Sequence, residues 1–101
     1  MKTPLRIEIT DDARTQIAAA VAWWAVNRPA APDAVSDDLD QILGVLCVQP
    51  AMGTRARRTT LSGVRRVTLS RIRYFVSYRV AGDALQVLAF WHTSRGVGPI
   101  L

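Results

Sequence analysis

The chain has 101 residues, half of them apolar, and its thirteen Lys and Arg against eight Asp and Glu give a net charge of +5. That length predicts one domain over residues 1–101 with a modest core. A single cysteine (Cys47) and a single histidine (His92) exclude an internal disulfide and a Cys/His metal site; no apolar run has the length of a signal peptide or membrane span, so a cytoplasmic protein without a cofactor is expected.

Residues 5–9 (Leu-Arg-Ile-Glu-Ile) alternate apolar and polar, the pattern of a half-buried strand. Thr10 then suits a helix N-cap, with Asp11 and Asp12 in the first turn where the macrodipole favours negative charge. Ile17, Val21 and Trp24 fall on one face of that helix, which should fade near Asn27-Arg28-Pro29. Trp23 lies off the stripe, and an exposed Trp suggests a protein interface. A second helix begins with Pro32 in its first turn and carries Val35, Leu39, Ile42, Leu43 and Leu46 as its apolar stripe. Asp33, Asp37, Asp38 and Asp40 occupy its early turns, Cys47 reads as a small buried hydrophobe, and Pro50 ends it. The two helices predict a hairpin.

Residues 50–63, with two glycines and three arginines, read as a basic loop. Beyond it the period becomes two. Val67 and Leu69 begin one strand; Ile72, Tyr74, Val76, Tyr78 and Val80 alternate along a second; Leu85, Val87, Ala89 and Trp91 alternate along a third. With Gly82-Asp83 as a two-residue turn, Val80, Tyr78, Val76 and Tyr74 oppose Leu85, Val87, Ala89 and Trp91 on the helix side. Arg79 with Gln86, Ser77 with Leu88, Phe75 with Phe90, and Arg73 with His92 then occupy an open face. The predicted class is α+β: an antiparallel sheet, made of the N-terminal strand and a three-strand meander, packed on the helical hairpin.

Charge is segregated along this architecture. Residues 1–40 hold seven acids and four bases, whereas residues 41–101 hold one acid and nine bases, all of them Arg. Guanidinium groups pair with phosphate or carboxylate in two places at once, so a polyanionic partner is implied: nucleic acid, or an acidic protein covering the same face. Guanidinium among aromatic rings on an open sheet also suits stacked bases and phosphates.

Three runs resemble the RelE/ParE toxin family: Gly63-Val64-Arg65-Arg66-Val67-Thr68-Leu69, then Tyr74-Phe75-Val76-Ser77-Tyr78-Arg79-Val80, then Val87-Leu88-Ala89-Phe90-Trp91-His92-Thr93-Ser94-Arg95-Gly96. Pro50-x-x-Gly53 after a helix is also similar, and the element order agrees over roughly residues 4–96. The resemblance implies a toxin of a type II toxin–antitoxin system, held inactive by a cognate antitoxin in a heterotetramer or larger complex. RelE-like members cut messenger RNA in the ribosomal A site of the 70S ribosome; ParE-like members bind and poison DNA gyrase without known catalysis. A degenerate member would keep only antitoxin binding.

Cleavage of RNA by its own 2′-hydroxyl needs a proton acceptor, a proton donor and cations around the phosphate. His92, Arg73, Arg79 and Arg95 are the candidates for those roles. The chain departs from the nuclease pattern in having no tyrosine after Tyr78, no acid between Asp40 and Asp83, and Lys2 as its only lysine. These departures favour the gyrase reading. In either case Arg73, Phe75, Arg79, Phe90, His92 and Arg95 are the expected target-binding residues, and Arg65, Arg66 and Trp23 the expected antitoxin contacts. The plainer roles are a structural hydrogen bond for His92 and an ion pair with Asp83 for Arg79.

Overall fold

The computed structural model describes residues 3–56 and 59–95; Arg57, Arg58 and Gly96, part of the basic loop and of the last motif, lie outside them. In chain order the elements are β1 (Arg6–Ile9), α1 (Asp11–Asn27), α2 (Ala34–Val48), β2 (Thr54–Arg55), β3 (Arg65–Leu69), β4 (Tyr74–Ala81) and β5 (Ala84–His92). Short 3-10 turns follow α2 (Pro50–Met52) and β5 (Thr93–Arg95). The sheet runs β1-β5-β4-β3-β2, with both helices on one face. Among the described residues no helix is long and apolar enough to cross a membrane.

Local chemistry explains the helices. The Thr10 hydroxyl accepts from the Ala13 amide at 3.2 Å, satisfying one otherwise orphaned N–H of α1, with Asp11 and Asp12 in its first turn. Ala13 and Ala20 are buried, and Ile17, Val21 and Trp24 pack on the core as their spacing requires. Val35, Leu39, Leu43 and Leu46 bury the stripe of α2 against Ile72, Val76, Tyr78, Leu85, Val87 and Phe90. Cys47 joins them; burial raises its thiol pKa, which keeps it in the unreactive neutral form. Asp38 on α2 takes a two-pronged bond from Arg71, at 2.7 and 3.0 Å, so one of the basic residues is already used to tie α2 to the β3–β4 turn.

The sheet departs from expectation in three ways. β1 pairs with β5 in parallel, Ile7 beside Leu85, so the sheet is mixed; alternation identifies a strand but not its direction. The basic loop contributes β2, where Arg55 lies directly across from Arg65 and Thr54 from Arg66. Arg73 is not in a strand: it sits in the β3–β4 turn at φ 62°, its amide bonded to the Leu69 carbonyl at 2.8 Å. Ile72 is nevertheless buried in the core from the same turn.

The largest departure is a bulge. From Ala81 back to Tyr78 the pairing follows the Gly82-Asp83 turn, with Gly82 at φ 62° as its first central residue, Val80 opposite Leu85 and Tyr78 opposite Val87. Ser77 then pairs with Ala89, so Leu88 is an extra residue in β5. Beyond it every β5 side chain changes face. Val76 opposes Phe90 and Tyr74 opposes His92 on the helix side, while Phe75 opposes Trp91 on the other. Phe90 is consequently in the core at 2% exposure, and Trp91 is not among the helix-side residues. Val80, expected to be buried, is 46% exposed at the end of its strand.

Candidate functional site

Two surfaces emerge, one on each side of the sheet. On the face away from the helices, Arg66 lies with its guanidinium carbon 4.6 Å from the centre of the Phe75 ring. Arg79 is on the same face, half-buried, its Nε donating to Gln86 Oε1 at 2.9 Å. The ion pair considered for Arg79 is absent: Asp83 pairs instead with Arg6 at 2.9 Å, and that bridge clasps β1 to the β4–β5 turn. The Arg6 guanidinium holds the Asp83 carboxyl below its usual pKa. This face is less open than the alternation suggested. Phe75, Ser77, Leu88, Ala89 and Val64 are all buried, outside the helix-side core, so Phe75 is covered under the Arg66 guanidinium rather than offered as a free ring.

Arg65 belongs to the helix side, opposite Tyr78, and is partly structural. Its Nη1 donates to the Gly53 carbonyl at 2.8 Å. Gly53 itself is held by Tyr78, whose hydroxyl accepts from the Gly53 amide at 2.9 Å and donates to the Pro50 carbonyl at 2.7 Å. A Cβ at Gly53 would fall 2.5 Å from Tyr78 Oη and 2.9 Å from the Arg66 carbonyl, so Pro50-x-x-Gly53 is a clamp in which only glycine fits. Desolvation raises the Tyr78 pKa, keeping the hydroxyl in the protonated form that the Pro50 bond needs.

On the helix side, α1 and the ends of β4 and β5 enclose a half-open cleft of about 540 Å³. Tyr74 stacks on Phe90 (centroids 4.7 Å apart, planes at 7°) and meets His92 edge-on at 4.9 Å. Trp23, 47% exposed, forms the opposite wall with Ala19 and Gln16. The Phe90 amide, two residues beyond the bulge at Leu88, donates to Gln16 Oε1 at 2.8 Å, which fixes the side-chain amide and leaves its Nε2 hydrogens available. His92 Nδ1 accepts the Ser94 amide at 3.1 Å and contacts Ser94 Oγ at 2.6 Å. A backbone N–H only donates, so in the neutral imidazole the proton resides on Nε2. The structural hydrogen bond considered for His92 is therefore present, made to a backbone N–H rather than a carbonyl.

Thus the expected site residues do not converge. His92 and Trp23 share the cleft; Arg73 does not line it and is exposed in the β3–β4 turn, its carbonyl accepting the Thr93 amide at 2.9 Å. Phe90 forms the cleft floor instead of an open face. Arg66, Phe75 and Arg79 are across the sheet, and Arg95 closes the 3-10 turn after β5. Sequence reasoning missed Gln16 and Tyr74 as cleft residues, because the bulge in β5 that turns His92 to their side has no local signature.

Comparison with known proteins places this arrangement. Among curated proteins none matches the sequence. A chain from the chromosomal ParDE toxin–antitoxin system of P. aeruginosa superposes with a TM-score of 0.69 at 26% identity, covering 87% of this chain and 95% of that one. The family model for the ParE toxin of the type II toxin–antitoxin system parDE matches residues 7–97. Spanning β1 to the end of the last motif, that match establishes that the chain belongs to the ParE toxin family.

Proposed function

We propose that the chain is the growth-arresting toxin of a type II pair, neutralised by a cognate antitoxin, and that it acts by binding DNA gyrase rather than by cutting RNA. One observation carries the choice of mechanism. The bulge at Leu88 turns His92 to the helix side, whereas Arg79, one of the cations assigned to cleavage, remains on the other, so the imidazole and that guanidinium do not meet at one phosphate. Acid–base cleavage requires them together. A binding poison has no such requirement and uses the two faces separately.

The nuclease reading retains one specific observation: Tyr74, His92 and the exposed Arg73 adjoin at one end of the sheet. A paired assay separates the two. Purified toxin is incubated with gyrase and relaxed plasmid, and in parallel with ribosomes programmed with a defined message. Inhibited supercoiling with intact message supports the proposal; cleavage in the A-site codon that disappears in His92→Ala overturns it.

A further inference from the structure

We infer that the β2–β3–β4 edge of the sheet binds the phosphate backbone of duplex DNA through Arg55, Arg65, Arg66 and Arg79. The choice of DNA among polyanions rests on the gyrase reading; the site itself rests on how these arginines are held. Among the described residues, arginine meets an acid in two places, Arg6 with Glu8 and Asp83, and Arg71 with Asp38. At the β2–β3–β4 edge the partners are neutral. Arg65 donates to the Gly53 carbonyl, Arg66 lies over the Phe75 ring, and Arg79 donates to Gln86 Oε1. Each contact fixes a guanidinium in place and supplies no counter-charge, and the sequence has no acid between Asp40 and Asp83 to supply one.

Arg55 sharpens the imbalance. It is exposed and lies directly across from Arg65, so two cations share one cross-strand position, an arrangement that like-charge repulsion disfavours. Arg66 faces the other side, opposite Ser77, and Arg79 is two residues further along β4 on that same face. The edge thus carries guanidinium groups on both of its sides, positioned before a partner arrives. Phosphate is the matching group: it takes bidentate guanidinium contacts and, repeated along a backbone, answers several of them at once. The neighbouring rings, Phe75 and Tyr78, are buried, so neither offers a platform for unstacked bases. Backbone contact without base stacking fits a duplex, and it makes binding independent of sequence and steeply dependent on salt.

The test follows the anisotropy of a short fluorescein-labelled DNA duplex titrated with full-length toxin at several salt concentrations. Four phosphate contacts should give a slope of about −3.6 in log K against log salt, and the Arg55→Ala, Arg66→Ala double variant should bring it to about −1.8. An Arg14→Ala, Arg28→Ala double variant removes equal charge from α1 and its C-cap and should keep the wild-type slope. Circular dichroism and melting confirm that both variants fold, which exposed positions permit. Equal losses in the two double variants mean diffuse charge attraction and overturn the site. Tighter binding of single-stranded RNA than of the duplex, lost in the Arg55→Ala, Arg66→Ala variant, assigns the edge to RNA and overturns the inference. Loss of antitoxin affinity in that variant with duplex binding unchanged gives the edge to an acidic protein and also overturns it. A toxin that inhibits gyrase supercoiling but does not bind the duplex overturns the inference and leaves the gyrase reading standing. Duplex binding with the expected slopes by a toxin that spares gyrase supports the site and overturns the gyrase reading.

Discussion

Replacing Tyr78 by Phe tests the clamp on which the basic β2–β3 region depends. The ring is fully buried, and its hydroxyl is the partner of both the Gly53 amide and the Pro50 carbonyl. Phe keeps the ring packing but leaves the amide of buried Gly53 without that partner, while half-buried Pro50 can turn to water. A buried group left unsatisfied costs about 1–3 kcal/mol, and the second bond adds little, so roughly 2 kcal/mol is expected. For a domain of this size each kcal/mol moves the midpoint by about 4–8 °C, giving a fall of roughly 8–16 °C. Because folding raises the Tyr78 pKa, its contribution is complete below the phenol's ordinary value and is lost as pH rises through the raised one. Wild type should therefore lose stability above about pH 10 more steeply than Tyr78→Phe. Gly53→Ala, which drives a Cβ to 2.5 Å from the same oxygen, should cost a further 1–3 kcal/mol or so by overpacking. The double variant should cost less than the sum, since removing the oxygen clears the closest contact. Thermal melts followed by circular dichroism across pH decide the matter. A fall below about 3 °C in Tyr78→Phe, or strict additivity with Gly53→Ala, would refute this account.

The remaining expectations concern charge and target. Arg65→Ala should lower the melting temperature because Arg65 bonds the Gly53 carbonyl, whereas exposed Arg66→Ala should leave it nearly unchanged and instead reduce the salt dependence of antitoxin or target binding, measured by titration at two ionic strengths. The Asp83 carboxyl is held below its ordinary pKa by Arg6, so its contribution is present above the usual carboxylate range and disappears as pH falls through the depressed value; melts of Asp83→Asn from neutral to acid pH should lack that slope. His92→Ala should leave gyrase inhibition within a few-fold of wild type in a supercoiling assay, since a general acid or base lost from a nuclease costs about 10²–10⁴ in rate. Gln16→Ala, which strips the Phe90 amide of its partner, should destabilise by about 1–2 kcal/mol in denaturant titration.

Period-two alternation was sufficient to locate β3, β4 and β5 and to put Tyr74, Val76, Tyr78, Leu85 and Val87 on the helix side, because each of those positions is constrained by burial on one face only. It failed at β5 for a physical reason. Residues 84–92 are apolar except for Gln86 and His92, so both of their faces satisfy a buried pattern and an inserted residue leaves the pattern readable either way. The second face of the sheet buries Phe75, Leu88 and Ala89, which removes the polar exterior that would have marked the register. β2 was lost in a loop because two residues of pairing carry no periodicity, and β1 was found without its parallel direction because pairing sense lies in the partner.

The α1 surface was legible by a different route. Trp23 stood out only as the residue off the stripe, yet the same helix holds Ala19, Trp23 and Val26 at helical spacing within a stretch free of acids. A helix that is apolar on both faces has one face too many for its own core, and that surplus is information about a partner rather than about the fold. The basic strands pointed first to a polyanion, but their charges are partly spent inside the molecule: Arg71 on Asp38, Arg65 on Gly53, Arg79 on Gln86. Among the described residues, the outward guanidinium groups include Arg66 across the sheet and Arg28 against Trp23 on α1, with Arg14, Arg55 and Arg73 also exposed. A toxin must be silenced by one partner and engage another, and two basic surfaces separated by a sheet allow those contacts to be altered independently. Arg66→Ala and Trp23→Ala should accordingly show additive effects on antitoxin affinity, with no coupling beyond about 0.5 kcal/mol in a double-mutant cycle; a larger coupling would mean that the antitoxin bridges both faces as one site.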